Sequence, residues 1–407
     1  MTNKKIILHL SLIEGIGPST IAQLCARINE HHDLSDLYTS SARDIVERYQ
    51  IAPSYAAKIV AGLADRSLFD QEYARIEKHN ISWATPLDGT YPSSLRTIYA
   101  PPSVLYWQGS LPSEEIPSIA FVGSRKANRY GETTIRTLVT PLAQQGWCIV
   151  SGGALGADSM AHEAALQAKG HTVAILGSGL LRWYPRTNIR LFERIIEAGG
   201  AIVSSFPLTQ DALPGNFPAR NRIIAGMSQG CVVIQAARKS GARITALFAL
   251  EQGREVFAVP GMIDDELAEG CNALIQEGAK LVMSVQDIVS EFDPQVKKAG
   301  IPAEMQQTSL FSGEVRHSRP LVTAQDARAK TEHSEASAAK EQRAARQEPA
   351  VPDTVEGKIS LICKNGATVD ELLMETGLNL VGLNEILFNM QLDGLIEQNS
   401  AGMFVAL

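Results

Sequence analysis

The feature that most constrains this chain is a regular alternation that begins at Ser118. Short runs rich in β-branched residues, most of them closed by glycine or serine, alternate with stretches of helical periodicity. Residues 119–122 end at Gly123, 148–150 at Ser151-Gly152-Gly153, and 172–176 at Gly177. Residues 201–203 end at Ser204-Ser205, 231–234 lead to Ser240-Gly241, and 256–259 end at Pro260-Gly261. Helical patterns such as 158–169 and 244–252 lie between them. Buried strands separated by helices predict a parallel sheet covered on both faces, a Rossmann-like doubly wound α/β fold. Ligands of such sheets sit beyond the carboxyl ends of the strands. Here those ends concentrate Gly, Ser, Asn and Arg.

The flanks differ in pattern. Residues 6–80 carry apolar residues three and four apart and few strand-like runs, which predicts a helical domain. A connector with Tyr91-Pro92 and Pro101-Pro102 follows. Residues 324–350 contain no aromatic residue and no Val, Ile, Leu or Met, so they cannot close a core. A tether and a solvated single helix both fit that composition. From about Val355 apolar periodicity returns. Three short helical patterns precede a hairpin hinged at Leu392-Asp393-Gly394, the pattern of a winged helix. Its recognition stretch, 380–390, has no Arg or Lys, which argues against strong duplex binding and leaves protein contact or plain packing. The expected division is 1–80 helical, 81–295 Rossmann-like, 296–352 linker and 353–407 winged helix.

With 407 residues, 45% of them hydrophobic, the chain can bury two or three cores. Its net charge of -7 means that any nucleic-acid surface must be a local basic patch. The five cysteines (Cys25, Cys148, Cys231, Cys271, Cys363) form no CxxC pair and read as reduced, buried thiols. The first residues lack the long apolar core of a signal peptide, and no run reaches the roughly 18 apolar residues that span a bilayer. The expectation is a cytoplasmic protein with no membrane partner.

Several motifs carry chemistry. Gly15-Ile16-Gly17-Pro18 interrupts a helical pattern, as a helix-hairpin-helix contact to phosphate would and as a tight interhelical turn would. Gly123-Ser124-Arg125 leaves the first strand with a hydroxyl and a guanidinium side by side. Ser151-Gly152-Gly153-Ala154-Leu155-Gly156-Ala157-Asp158 opens a helix, and its glycines suit backbone contact with an anion. It matches neither the dinucleotide fingerprint nor a P-loop. Asp158 there reads equally as a helix cap and as a ligand. Tyr184-Pro185-Arg186-Thr187-Asn188 precedes a helix with Arg186, Arg190 and Arg194 four apart, and Phe217-Pro218-Ala219-Arg220-Asn221-Arg222 opens another. Arginines interleaved with aromatic residues suit a nucleic-acid backbone with stackable bases. Catalytic patterns are weak. Asp158 and His162, four apart, read as a structural pair more readily than as a metal or proton site, and Ser151 lacks a nucleophile elbow.

Taken together these residues resemble the DNA-processing protein A family (DprA/Smf). The motifs carrying the resemblance include Val122-Gly123-Ser124-Arg125, Ser151 to Asp158, Tyr184-Pro185 with Asn188, Phe217-Pro218 with Arg220-Asn221-Arg222, and Val259-Pro260-Gly261 with Asn272. Departures are Ala157 for a usual Ile, Ser205 for a usual acid and Gln235 for a usual Glu. The resemblance implies a helical SAM-like/helix-hairpin-helix domain, an extended Rossmann domain and a winged-helix tail. It further implies a homodimer that binds single-stranded DNA and works with the RecA recombinase in natural transformation, without enzymatic activity, cofactor or metal. The expected DNA contacts are Gly123, Ser124, Arg125, Gly152, Gly153, Arg186, Asn188, Arg220, Asn221, Arg222 and Lys239. The expected dimer surface holds Asn272, Leu274, Ile275 and Leu281. A rival is a nucleotide-processing hydrolase of the lysine-decarboxylase-like phosphoribohydrolase type, whose Pro-Gly-Gly-x-Gly-Thr string this chain does not show.

Overall fold

A computed structural model describes residues 1–28, 33–292, 354–364 and 366–378, together with 383, 386–387, 390–391, 395–398 and 403–406. The linker expected at 296–352 and most of the 380–390 recognition stretch lie outside the described residues, as does the 392–394 hinge.

The alternation after Ser118 becomes one sheet. Its strands are β1 (Ser82–Ala84), β2 (Leu105–Gly109), β3 (Ser118–Val122), β4 (Cys148–Ser151), β5 (Thr172–Ile175), β6 (Ala201–Ser204), β7 (Gly230–Val233), β8 (Glu255–Ala258) and β9 (Lys280–Leu281), in the order β1-β2-β6-β5-β4-β3-β7-β8-β9. From β6 to β9 every neighbouring pair is parallel. Strand order reverses at β3, with β4 on one side and β7 on the other, the switch point at which doubly wound sheets open a crevice. The antiparallel β1 and β2 extend the far edge out of what the sequence shows only as a Pro/Tyr-rich connector.

The period-2 pleat sorts side chains strictly between the two faces. Ala120, Val122, Val150, Val173, Val203 and Val233 enter one core. Ile119, Phe121, Ile149, Val232 and Phe257 enter the opposite one. The first is covered by α6 (Ser93–Arg96), α10 (Asn216–Gly226), α11 (Gly241–Glu251) and α12 (Glu266–Gln276). The second is covered by α7 (Arg129–Gln144), α8 (Ala157–Gln167) and α13 (Val285–Phe292). Helix α9 (Ile189–Glu197) covers the same face farther along, over β5 and β6, through Leu191, Phe192 and Ile195.

The N-terminal helices α1 (Asn3–Ser11), α2 (Pro18–Cys25), α3 (Ala42–Tyr49), α4 (Pro53–Ala64) and α5 (Ser67–Lys78) share a hydrophobic cluster with α9 and with Tyr106, Ala174 and Ile202 of the sheet. A buried carboxylate sits at this junction. Glu72 of α5 accepts the Leu208 N–H (2.7 Å) and faces Arg75 at 3.4 Å, while burial raises its pKa. The four buried cysteines and the half-buried Cys25 are all free. Burial pushes the Cys148, Cys231 and Cys271 thiols up to about 12, so they stay protonated and inert.

The C-terminal segment forms α14 (Val355–Cys363), α15 (Val369–Thr376) and an antiparallel pair, β10 (Ile396–Gln398) with β11 (Phe404–Ala406). Leu383, Leu387 and Met390, spaced as one helix face, join Ile359, Leu372, Ile396 and Phe404 in a small separate core. This is the winged-helix arrangement.

Candidate functional site

The loop leaving β3 is held from both ends. A Cβ at Gly123 would lie 2.7 Å from the Ala157 Cβ, so only glycine lets the loop approach α8. The Ser124 N–H donates to the Gln235 carbonyl (2.6 Å). Asn128 caps α7, its Oδ1 accepting the Tyr130 and Gly131 N–H groups at 3.0 and 3.3 Å. The buried Gln235 side chain accepts the Asn128 N–H (3.0 Å) and donates back to Asn128 Oδ1 (3.1 Å). An ionised carboxylate could make the first bond but not the second. The amide at 235, where the resembling family carries an acid, therefore suits this loop. Arg125 is left exposed at its tip, the guanidinium 5.1 Å from the centre of the Phe217 ring.

The loop leaving β4 turns inward. Gly153 and Gly156 adopt left-handed conformations (φ 65° and 75°), and a Cβ at Gly156 would strike the Ser124 carbonyl. Gly152 and Gly153 are buried. The Gly152 and Ala154 N–H groups turn to the carboxylate of Asp158, which itself is buried. The anion these amides face is thus internal, which differs from the expectation of an external phosphate.

Arg220 completes that internal arrangement. Only 5% exposed, it sends Nη1 to the carbonyls of Gly152 and Ile175 and donates from Nε to Asn221 Oδ1 (3.1 Å). Burial lowers its pKa to about 10, and the charge of Asp158 opposes that shift. Burial likewise raises the pKa of Asp158, with Arg220 pulling it back. The two form a strut across the ends of β4 and β5. Arg222 and Asn221 also bind backbone, the first at the Tyr99 and Ala100 carbonyls and the second at Gly241 O (3.2 Å). Asn188 donates to the carbonyls of Gly153 (2.9 Å) and Ala154 (3.3 Å), tying the 184–190 segment to the β4 loop.

What remains outward is compact. Arg125, Gly152, Ala154, Tyr184 and Phe217 line a hollow of about 50 Å³, which the buried Arg220 also borders. Tyr184, 46% exposed, lies 6.0 Å from Phe217 at 54°. Arg186, which follows the hollow-lining Pro185 in the chain, is exposed. Lys239 is exposed on the β7–α11 loop and does not line the hollow. Of the expected contacts, Arg125 and Arg186 present exposed guanidinium surface, whereas Arg220, Arg222, Asn221 and Asn188 hold the frame. Sequence reading does not single out Asn128, and it marks Gln235 only as a departure from the resembling family. The one signal available was an Asn just before a helical pattern, a cap signature.

His162, fully buried, stands apart from any ligand geometry. Thr172 donates its hydroxyl proton to Ile149 O (2.7 Å), so His162 must donate from Nδ1 to Thr172 Oγ1 (2.7 Å). Its Nε2 has no partner among the described residues, and burial lowers its pKa to about 3. Among the described residues no cluster of three His, Cys, Asp or Glu could hold a metal.

The expected dimer residues divide in the same way. Leu274 is buried in the core, and the Asn272 amide is tied to Gly261 through both its N–H and its carbonyl (3.2 and 3.1 Å). Leu281, on the edge strand β9, is 39% exposed beside Met283 at 77%. Gly15 of the N-terminal hairpin turns left-handed (φ 78°) between α1 and α2, with the Lys58 ammonium packed over it.

Comparison with known proteins places this architecture. A family model described as DNA recombination-mediator protein A matches residues 82–293. The DNA processing protein DprA of Streptococcus pneumoniae is 40% identical over 241 residues, 58% of this chain and 85% of that protein. Protein Smf of Escherichia coli is 46% identical over 199 residues, 49% of this chain and 53% of its own length. The X-ray structure of DNA processing protein A from S. pneumoniae superposes with a TM-score of 0.53 at 35% identity, covering 68% of this chain and 99% of that one.

Proposed function

The chain belongs to the DNA recombination-mediator protein A family, and on that premise we propose that it binds single-stranded DNA at the carboxyl edge of its sheet and delivers it to the RecA recombinase. The family is one of recombination mediators, which favours a binding protein over the phosphoribohydrolase reading. The observation that carries the site is Arg125. It is exposed on a rigidly held loop, stands over Phe217, and neighbours the exposed Tyr184. A guanidinium for phosphate beside aromatic faces for bases is the combination that sequence-tolerant single-strand binders use. Arg186, Gly123, Ser124 and Lys239 extend the contact surface in this reading. Gly152, Gly153, Asn188, Arg220, Asn221 and Arg222 shape it from behind.

The reading includes a homodimer formed at the open β9 edge. Leu281 and Met283 are its exposed apolar residues, while the half-buried Ile275 stands closer to the core. Leu281→Arg would then give a monomer in sedimentation, because a twofold contact would bury the new charge twice. No helix among the described residues is long and apolar enough to cross a membrane. The direct test of the DNA reading is anisotropy titration of the full chain with labelled single-stranded and duplex oligonucleotides at several salt concentrations. Preferred binding of single strands, weakening log-linearly with salt, supports it; equal or absent binding overturns it.

A further inference from the structure

The hollow under Arg125 is too small for the ligand just proposed. At about 50 Å³ it admits a phosphate oxygen or the edge of a base, and no more. A much larger cavity lies next to it. This is an open groove of about 560 Å³ between α7, α8 and α9, within the roughly 300–1,000 Å³ typical of sites that enclose an organic ligand. Its floor is apolar, with Ile135, Ala164 and Leu191 buried and Met160 half-buried. Its walls are polar and mostly self-paired. Arg136 bonds Glu132 at 3.1 Å and Arg194 bonds Glu163 at 2.7 Å. Arg190, also on the wall, is exposed and takes part in no such ion pair among the described residues.

One stretch of chain walls both cavities. Tyr184 and Pro185 line the hollow, Thr187, Asn188 and Arg190 line the groove, and the exposed Arg186 stands at the divide. The Asn188 bonds to the β4 loop fix this stretch in place. Resting on the single-stranded DNA reading, we propose that the groove between α7, α8 and α9 is a second DNA subsite, taking nucleotides of the same strand that continue past Arg186. Arg190 grips a phosphate there, and the apolar floor receives base surface. The paired walls leave a net positive charge from Arg190, which favours a polyanion over an acidic or neutral peptide as occupant.

The test uses the full-length protein and two single-stranded oligonucleotides, one of about four nucleotides and one of about fifteen, the range of site sizes for such binders. Removing one arginine–phosphate interaction lowers the slope of log affinity against log salt by roughly 0.7. The ratio of affinities at 50 and 200 mM salt therefore shrinks by about 2.6-fold for each phosphate released. Arg190→Ala should show that reduction with the long oligonucleotide and none with the short one, while Arg190→Lys keeps the wild-type slope. Equal slopes for Arg190→Ala and wild type on the long oligonucleotide would overturn the subsite and leave the groove to a protein partner. Arg125→Ala is run beside it. If that variant binds both lengths like the wild type, the underlying DNA site has failed, a result separate from any outcome at Arg190.

Discussion

Two arginines share one aromatic ring and have opposite roles. Arg125 and Arg220 lie 5.1 and 5.9 Å from the centre of Phe217. Arg125 belongs to a short loop that Gln235 and Asn128 hold from both sides, and its guanidinium stays in solvent. Arg220 comes from inside α10, and its buried guanidinium binds two strand-end carbonyls through Nη1 beside the charge of Asp158. In the proposed reading the first contacts the ligand, and the second mainly holds the place where it binds, although it too borders the hollow. An arginine near a ligand site is thus a contact or a strut according to how many carbonyls already surround it.

The most severe challenge to this contrast is to remove the strut. Arg220→Met leaves a buried carboxyl without its counter-charge and frees two buried carbonyls, an effect of about 3–5 kcal/mol. Thermal unfolding should show a large drop in Tm. Asp158 in that variant escapes part of the penalty by holding a proton, so the loss should grow as pH rises above the ordinary carboxyl range. A variant that melts like the wild type would make Arg220 a surface residue after all.

His162 extends the same point to the interior beneath the site. Its folded-state pKa of about 3 lies below the ordinary 6.5. The folded protein therefore binds fewer protons than the unfolded chain between those values. Stability is full above pH 6.5 and falls as pH drops toward 3, by an amount on the order of a few kcal/mol. Denaturant titrations across that range should show the decline, and His162→Gln should flatten it. An unchanged pH profile would mean that another group controls acid lability.

A smaller effect is expected on the ligand side. If bases stack on the exposed Tyr184, Tyr184→Ala should weaken single-strand binding by about 1–3 kcal/mol, and Tyr184→Phe should leave it nearly intact. Binding titrations that show both variants equal to wild type would leave the strand held by charge alone.

The sheet was legible in the sequence because its strands are buried on both faces. Runs such as 119–122 and 231–234 announce themselves without reference to their neighbours. The outer strands β1 and β2 were not legible, since strands of three and five residues on either side of a proline-rich connector lack a pattern long enough to stand out. The joint core of the N-terminal helices and the sheet was equally hidden, because it rests on pairings such as Glu72 with Leu208, 136 residues apart. The arginines show the same limit at the site. The partners of Arg220 are 68 and 45 residues away in the chain, so its burial could not be read from Phe217-Pro218-Ala219-Arg220. Arg125 was legible because its exposure follows locally from a glycine-led loop at a strand end.

Whether Arg125 is the contact and not a strut is decided by the salt dependence of single-strand binding in Arg125→Ala. An unchanged Tm is expected, because an exposed side chain holds no core together. Binding should weaken for every sequence alike, and the slope of log affinity against log salt should become shallower by roughly 0.7. A folded Arg125→Ala protein that binds single strands with the wild-type affinity and slope would contradict the assignment.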